Sequence, residues 1–95
     1  MKLVDNAKFS LGKLVTTPGA LMASEEALES FLGFLMRHQS GDWGDVCEAD
    51  RQENEFALDN DLRLFSVYHF RNGTKIWIIT EADRSVTTVL LPEEY

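Results

Sequence analysis

Two histidines, one cysteine and a pair of closely spaced aspartates are the side chains with which this chain could do chemistry. A structural zinc site takes four convergent ligands. With only His38, His69 and Cys47 on offer, a carboxylate would have to complete the set, and no C-x-x-C or H-x-x-x-H spacing is present. His38 reads instead as a residue at a helix C-terminus and His69 as an ordinary strand residue. Cys47 falls near an expected helix N-terminus, where the dipole favours a thiolate. Asp45, Glu48 and Asp50 surround it with like charge, so an unremarkable thiol is expected. Asp42 and Asp45 have a spacing that suits a turn better than an acid–base pair. Asp59-Asn60-Asp61 begins like a calcium loop, but Leu62 follows where that loop needs glycine. Gly-rich phosphate loops and G-x-S-x-G turns are absent. The expectation is no catalytic residue, no metal and no cofactor.

What the chain does carry is charge in one place. Of its formal −7, all arises between Asp42 and Asp61, from Asp42, Asp45, Glu48, Asp50, Glu53, Glu55, Asp59 and Asp61 against Arg51 alone. The remaining eight acids and eight bases cancel. Phosphate affinity comes from clustered Lys and Arg, so direct binding to nucleic acid is disfavoured. Anionic membrane surfaces are disfavoured for the same reason. No window approaches the roughly 20 apolar residues that cross a bilayer, and Met1 to Asn6 lacks the apolar stretch of a secretory signal. A lone cysteine fits a reducing compartment. A cytoplasmic location is expected. The 95 residues and 44% hydrophobic content suit one domain, residues 1–95, with a modest core. Self-association is a natural support for so small a core.

The elements that must position these residues come next. Phe9 to Thr16 alternates imperfectly and is a candidate strand or extended lead-in. Thr17-Pro18 has the form of a helix start, a capping hydroxyl before a proline at the first helical position, and predicts a single turn through Leu21 and Met22. Ser24 predicts a second cap, with Glu25 and Glu26 in the first turn. Leu28, Phe31, Leu32 and Leu35 then repeat at the spacing of one buried face, widened by Phe34 and Met36. Arg37 and His38 suit the end of that helix and Gly41 its stop. Gly41 to Asp45 predicts a turn around Trp43. A second helix is expected from Val46–Glu48 to about Asp59, with Phe56 its main anchor and a mild repulsion between Glu55 and Asp59. Three strands follow, Leu62 to Phe70, Lys75 to Thr80 and Val86 to Leu91, rich in β-branched and aromatic residues. Asn72-Gly73 marks a hairpin between the first two, and Glu81 to Ser85 makes the second turn. Ile76 and Ile78 face one way, Trp77 and Ile79 the other, so both sheet faces should be partly covered. Pro92 ends the last strand.

The expected fold is therefore α+β: N-terminal helices packed on a C-terminal three-stranded antiparallel β-meander, with Phe9 to Thr16 as a candidate added edge strand. Trp77 is expected to pack rather than bind. Trp43 either folds onto the core, the favoured placement, or stands exposed as an interface anchor. The acidic segment is either a solvated helix face or a docking surface whose field attracts a basic partner.

Three stretches carry a resemblance: FSLGKLVTTPGAL (9–21), RHQSGDWGDV (37–46) and NGTKIWIITEADRSVTTVLLPEEY (72–95). Together they resemble a family of small uncharacterised bacterial proteins described as plasmid-related, carried on plasmids and integrative elements. The resemblance implies a mobile-element setting and brings no catalytic residue with it. The leading expectation is a non-enzymatic interaction protein that meets a basic protein partner through Asp42, Trp43, Asp45, Glu48, Glu53, Glu55 and Asp59. A nucleic-acid-handling host or defence protein is one such partner. The alternatives are a small ligand-binding domain or enzyme using His38, His69 or Cys47 in a cleft, and a homo-oligomeric module pairing through a free strand edge or an apolar sheet face.

Overall fold

The computed structural model describes residues 1–95 and is an α+β fold. In chain order it comprises β1 (Lys13–Thr16), α1 (Pro18–Ala27), α2 (Leu32–Gln39), α3 (Glu48–Asn60), β2 (Leu64–His69), β3 (Lys75–Thr80), β4 (Val86–Leu90) and a 3-10 turn at Pro92–Glu94. The four strands form one mixed sheet in the order β1-β4-β3-β2. The expected meander is present: β2 pairs antiparallel with β3, and β3 with β4. Asn72-Gly73 closes the first hairpin, with Gly73 at φ +92° and the Asn72 side chain accepting from the Thr74 amide. To this the fold adds a fourth strand. β1 pairs parallel with β4, so the sheet is mixed rather than purely antiparallel. It is shorter than the span Phe9 to Thr16. Gly12 adopts φ +64° against the Arg84 and Ser85 carbonyls, where any Cβ would overlap them, and the strand starts only after it.

α1 and α2 cover one sheet face. Ala20, Ala23, Phe34 and Leu35 pack there against Tyr68, Phe70, Ile76, Ile78 and Val89, with the Phe34 ring stacked 4.9 Å from that of Tyr68. Their boundaries differ from the expectation. The cap at Thr17 starts not a single turn but all ten residues of α1, its hydroxyl accepting from the Ala20 amide. Ser24 is no N-cap. Its hydroxyl and carbonyl both bind Glu29, closing the C-terminus of α1, and Leu28 takes a left-handed conformation at 88% exposure. Leu32, also expected inside, is exposed. A continuous helix from Pro18 to Gln39 would run about 33 Å, longer than the roughly 20 Å of a six-residue strand. The break at Leu28 lets both halves lie on the same short sheet, and Phe31, Phe34, Leu35 and His38 become the inward face of α2.

On this face the polar side chains are fully satisfied. His38, wholly buried, sits with Nδ1 2.6 Å from Ser66 Oγ and Nε2 2.9 Å from Thr80 Oγ1. Thr80 continues to Thr87 at 2.8 Å, and Thr87 donates to the Leu11 carbonyl. The chain of contacts links α2, three strands and the N-terminal segment. Burial and the charge of Arg84 lower the His38 pKa to about 3, so the ring is neutral near pH 7. The opposite sheet face is thinner. Phe65, Trp77 and Tyr95 meet edge to face at 5.0 and 5.7 Å. The C-terminal turn is held there by Glu94, which accepts from the Thr17 hydroxyl and the Gly19 amide at the start of α1.

The β2 edge of the sheet is sealed. Asn54 of α3 presents an amide to the strand as another strand would, donating to the Phe65 carbonyl and accepting from its N–H at 2.7 and 3.0 Å. Two residues on, Val67 bonds the Trp43 carbonyl and the Asp45 amide. Asn54→Ala strips both partners from Phe65. It is expected to lower the unfolding free energy by about 1–3 kcal/mol, measured by urea denaturation, whereas Asn60→Ala on the outer face should change it by less than about 0.5 kcal/mol.

Candidate functional site

The acidic segment is tied to the rest of the fold by hydrogen bonds along its length, beginning with the turn that follows α2. Gly41 reverses the chain at φ +85°, and the Asp42 amide donates to the Arg37 carbonyl. Arg37 also grips the Asp42 carboxylate at 2.7 and 3.3 Å, which holds that carboxyl below its ordinary range. The Tyr68 hydroxyl donates to the Asp42 carbonyl, and burial pushes its pKa up. Gly44 then passes directly over β2 at φ +74°. A Cβ there would lie on the Val67 carbonyl and 2.6 Å from the Tyr68 ring. Asp45 ends the turn against His69, 2.8 Å away.

Trp43 is 3% exposed. Its ring packs with Ala57 and Leu64, stacks on Phe9 at 6.3 Å and meets His38 edge-on at 5.7 Å. The core placement favoured from the sequence is the one found, and as an exposed contact residue Trp43 is withdrawn. Its role is to anchor α3: the indole N–H donates to Glu55 Oε2 at 2.7 Å. Glu55 is therefore occupied inside the molecule. Glu48 is engaged by Arg51 and Gln52, and the adjacent guanidinium holds its carboxyl below the ordinary range. Asp42 and Asp45 bind separate partners and do not form a carboxylate pair. Glu53 and Asp59 alone among the expected contact residues stand exposed without an ion-pair or hydrogen-bond partner in the fold.

Phe56 was expected to be the helix's anchor. It is instead 61% exposed, because the Asn54 bonds and the burial of Ala57 turn that side of α3 to the sheet. Phe56 lies in a groove of about 610 Å³ where α3 meets the lead-in to β2, lined by Ala49, Gln52, Glu53, Ala57, Leu62 and Arg63. Leu62, exposed beside it, follows the left-handed cap Asp61 and adds a second apolar surface. The end of α3 is pinned by Arg84, whose guanidinium donates to the Ala57 and Leu62 carbonyls. A cation at that terminus also suits the helix dipole. The groove thus has an apolar centre with one acid, Glu53, and one base, Arg63, on its walls. Leu62 and Arg63 had no signal in the sequence, where they read as the start of a strand.

The alternative constellation does not converge. His38 is inside the core, whereas His69 and Cys47 are exposed. No three His, Cys, Asp or Glu side chains are grouped to hold a metal ion. No helix is long and apolar enough to cross a membrane. The class defined by fold and site is a small α+β domain with an open, largely apolar groove beside its acidic helix. Comparison with family models, curated proteins and solved structures found no match.

Proposed function

We propose that this chain is a non-enzymatic interaction module that seats a basic, amphipathic segment of a partner protein in the groove between α3 and β2. The observation that carries the reading is Phe56. It is a large apolar ring held outward on an acidic helix, in a groove it shares with Leu62, Glu53 and Arg63, with Asp59 one turn further along α3. Interfaces with high affinity combine a desolvated aromatic centre with a polar rim, and a segregated field speeds association with a partner of opposite charge. Trp43, Asn54 and Arg84 support the reading by fixing α3 from beneath, so that little ordering cost falls on binding. The contact set is revised to Glu53, Phe56, Asp59 and Leu62, with Glu48 at the rim. With the resemblance to plasmid-borne proteins, the partner that best fits is a nucleic-acid-handling host or defence protein, whose basic surface the domain would cover.

A labelled sample titrated with an amphipathic Lys/Leu helical peptide tests the site. Amide shifts are expected to cluster at Ala49, Gln52, Glu53, Phe56, Leu62 and Arg63 and to weaken with salt. Phe56→Ala should weaken binding by about 2 kcal/mol, roughly 30-fold. Shifts scattered over the sheet, or binding indifferent to Phe56→Ala, would refute the assignment.

A further inference from the structure

The two edges of the sheet are treated in opposite ways. The β2 edge is closed by the Asn54 side chain and by the backbone of Trp43 and Asp45. The β1 edge has no cover: all four of its residues are exposed, including Leu14 at 36% and Val15 at 39%. The Lys13 and Thr17 amides donate inward to Ser85 and Val89 of the β4 side. In a parallel ladder alternate residues face each neighbour, so the N–H and C=O groups of Leu14 and Thr16 point outward. An edge left in this state is a template for another strand. α1, which follows one residue later, leaves Leu21 and Met22 exposed as well.

We propose that β1 pairs antiparallel with β1 of a second copy, joining two sheets into one of eight strands about a two-fold axis through Val15. The register is dictated by which groups face outward. Leu14 of each copy exchanges both hydrogen bonds with Thr16 of the other, and Val15 meets Val15 as the close, non-hydrogen-bonded pair. Shifting the register either way brings in Gly12, which has left the strand conformation, or Pro18, which has no N–H. The same register sets Lys13, which has no ion-pair partner in its own chain, opposite Thr17 of the second copy, whose hydroxyl is held by Glu94. Charge leaves this edge open to a second copy. The acidic α3 and its turn lie against β2, the far edge of the sheet. Joined along β1, the two β2 strands are roughly 34 Å apart, well beyond the screening length of about 8 Å at physiological salt. The groove of α3 is left open at both ends of the assembly, so this interface is independent of the partner site above.

Sedimentation equilibrium of the whole chain tests it. The expected result is a reversible dimer at twice the 10.8 kDa chain mass. Leu14→Pro removes an outward N–H without touching the β4 ladder, and Val15→Lys sets two charges face to face. Each should weaken the dimer at least tenfold with an unchanged far-UV spectrum. Val15→Cys in a Cys47→Ser background should crosslink to a covalent dimer on mild oxidation, whereas Lys13→Cys should not. A monomer at about 1 mM, a dimer indifferent to both edge variants, or a dimer that Val15→Cys fails to crosslink would each overturn the proposal.

Discussion

The unfolding free energy is expected to fall steeply as the pH drops from 6.5 to 4, before most surface carboxylates titrate. The cause is His38. Its pKa is 6.5 in the unfolded chain and about 3 in the folded one, lowered by burial and by Arg84. The unfolded state therefore binds the extra proton throughout that window, and a lowered folded pKa on a base means stability is lost as pH falls through it. The slope approaches 1.4 kcal/mol per pH unit, giving a loss of about 3 kcal/mol by pH 4. That is a large share of the 5–15 kcal/mol typical of a whole domain. From about pH 4.5 downward the carboxyls of Glu48 and Glu94, and then those of Asp42 and Asp83, each held low by a hydrogen-bonding partner, add to the loss. Urea titrations at closely spaced pH values read the slope. His38→Asn removes the titrating group, so its slope between pH 6.5 and 4.5 should be nearly flat. The variant should also be less stable at pH 7 by about 1–3 kcal/mol, because the shorter Asn cannot reach both Ser66 and Thr80 and gives up at least one buried hydrogen bond. An unchanged slope in the variant would show that the acid sensitivity arises elsewhere.

Gly44→Ala should be one of the two most damaging single methyls in the chain, the other being Gly12→Ala. The position combines φ +74° with a backbone carbonyl and an aromatic ring where the Cβ must go. Left-handed strain costs about 1–2 kcal/mol. Displacing β2 or the Tyr68 ring adds a further 1–3 kcal/mol, by analogy with overpacked cores. The expected loss is about 2–5 kcal/mol, a large share of the 5–15 kcal/mol typical of a whole domain. Gly73→Ala supplies the comparison. Its φ is +92°, yet nothing lies within 4 Å of a Cβ there, so only the strain remains, at about 1–2 kcal/mol. Thermal melts of the two variants side by side separate crowding from strain. Equal losses would mean that the turn does not press on β2 as described.

The parts of this fold that were legible are those governed by local rules. Asn72-Gly73 announces its hairpin, and the alternation of Ile76, Trp77, Ile78 and Ile79 assigns both sheet faces correctly. Thr17-Pro18 marks a true helix start. Misreadings came where a long-range partner overrode a local pattern. Leu28, Phe31, Leu32 and Leu35 share a helical period, but a short sheet cannot support so long a helix, and Ser24 serves to close α1 rather than open a second helix. Phe56 reads as the anchor of α3 because it is the largest apolar residue there. The polar Asn54 takes the inward position instead, since β2 needs an edge partner that no apolar side chain can provide. His38 reads from the sequence as a residue at a helix C-terminus, which it is, but that position says nothing of its burial. Its burial depends on Ser66, Thr80 and Thr87 arriving from distant strands. Asp42 to Asp61 was visible as a charge block. Which of its acids are free and which are spent on Arg37, His69, Arg51 and Trp43 depends on tertiary contacts that spacing does not encode.

Capture of a partner from cell lysate, run in parallel with the unaltered chain and with a Glu53→Lys/Phe56→Ala/Asp59→Lys variant, tests the role proposed for α3 most directly. All three side chains are exposed and the variant should melt within a few degrees of the unaltered protein. The expected result is a basic protein retained by the unaltered chain, released by moderate salt and lost from the variant. Retention of the same proteins by both, or of no basic protein by either, would contradict the assignment of the α3 groove as a docking site.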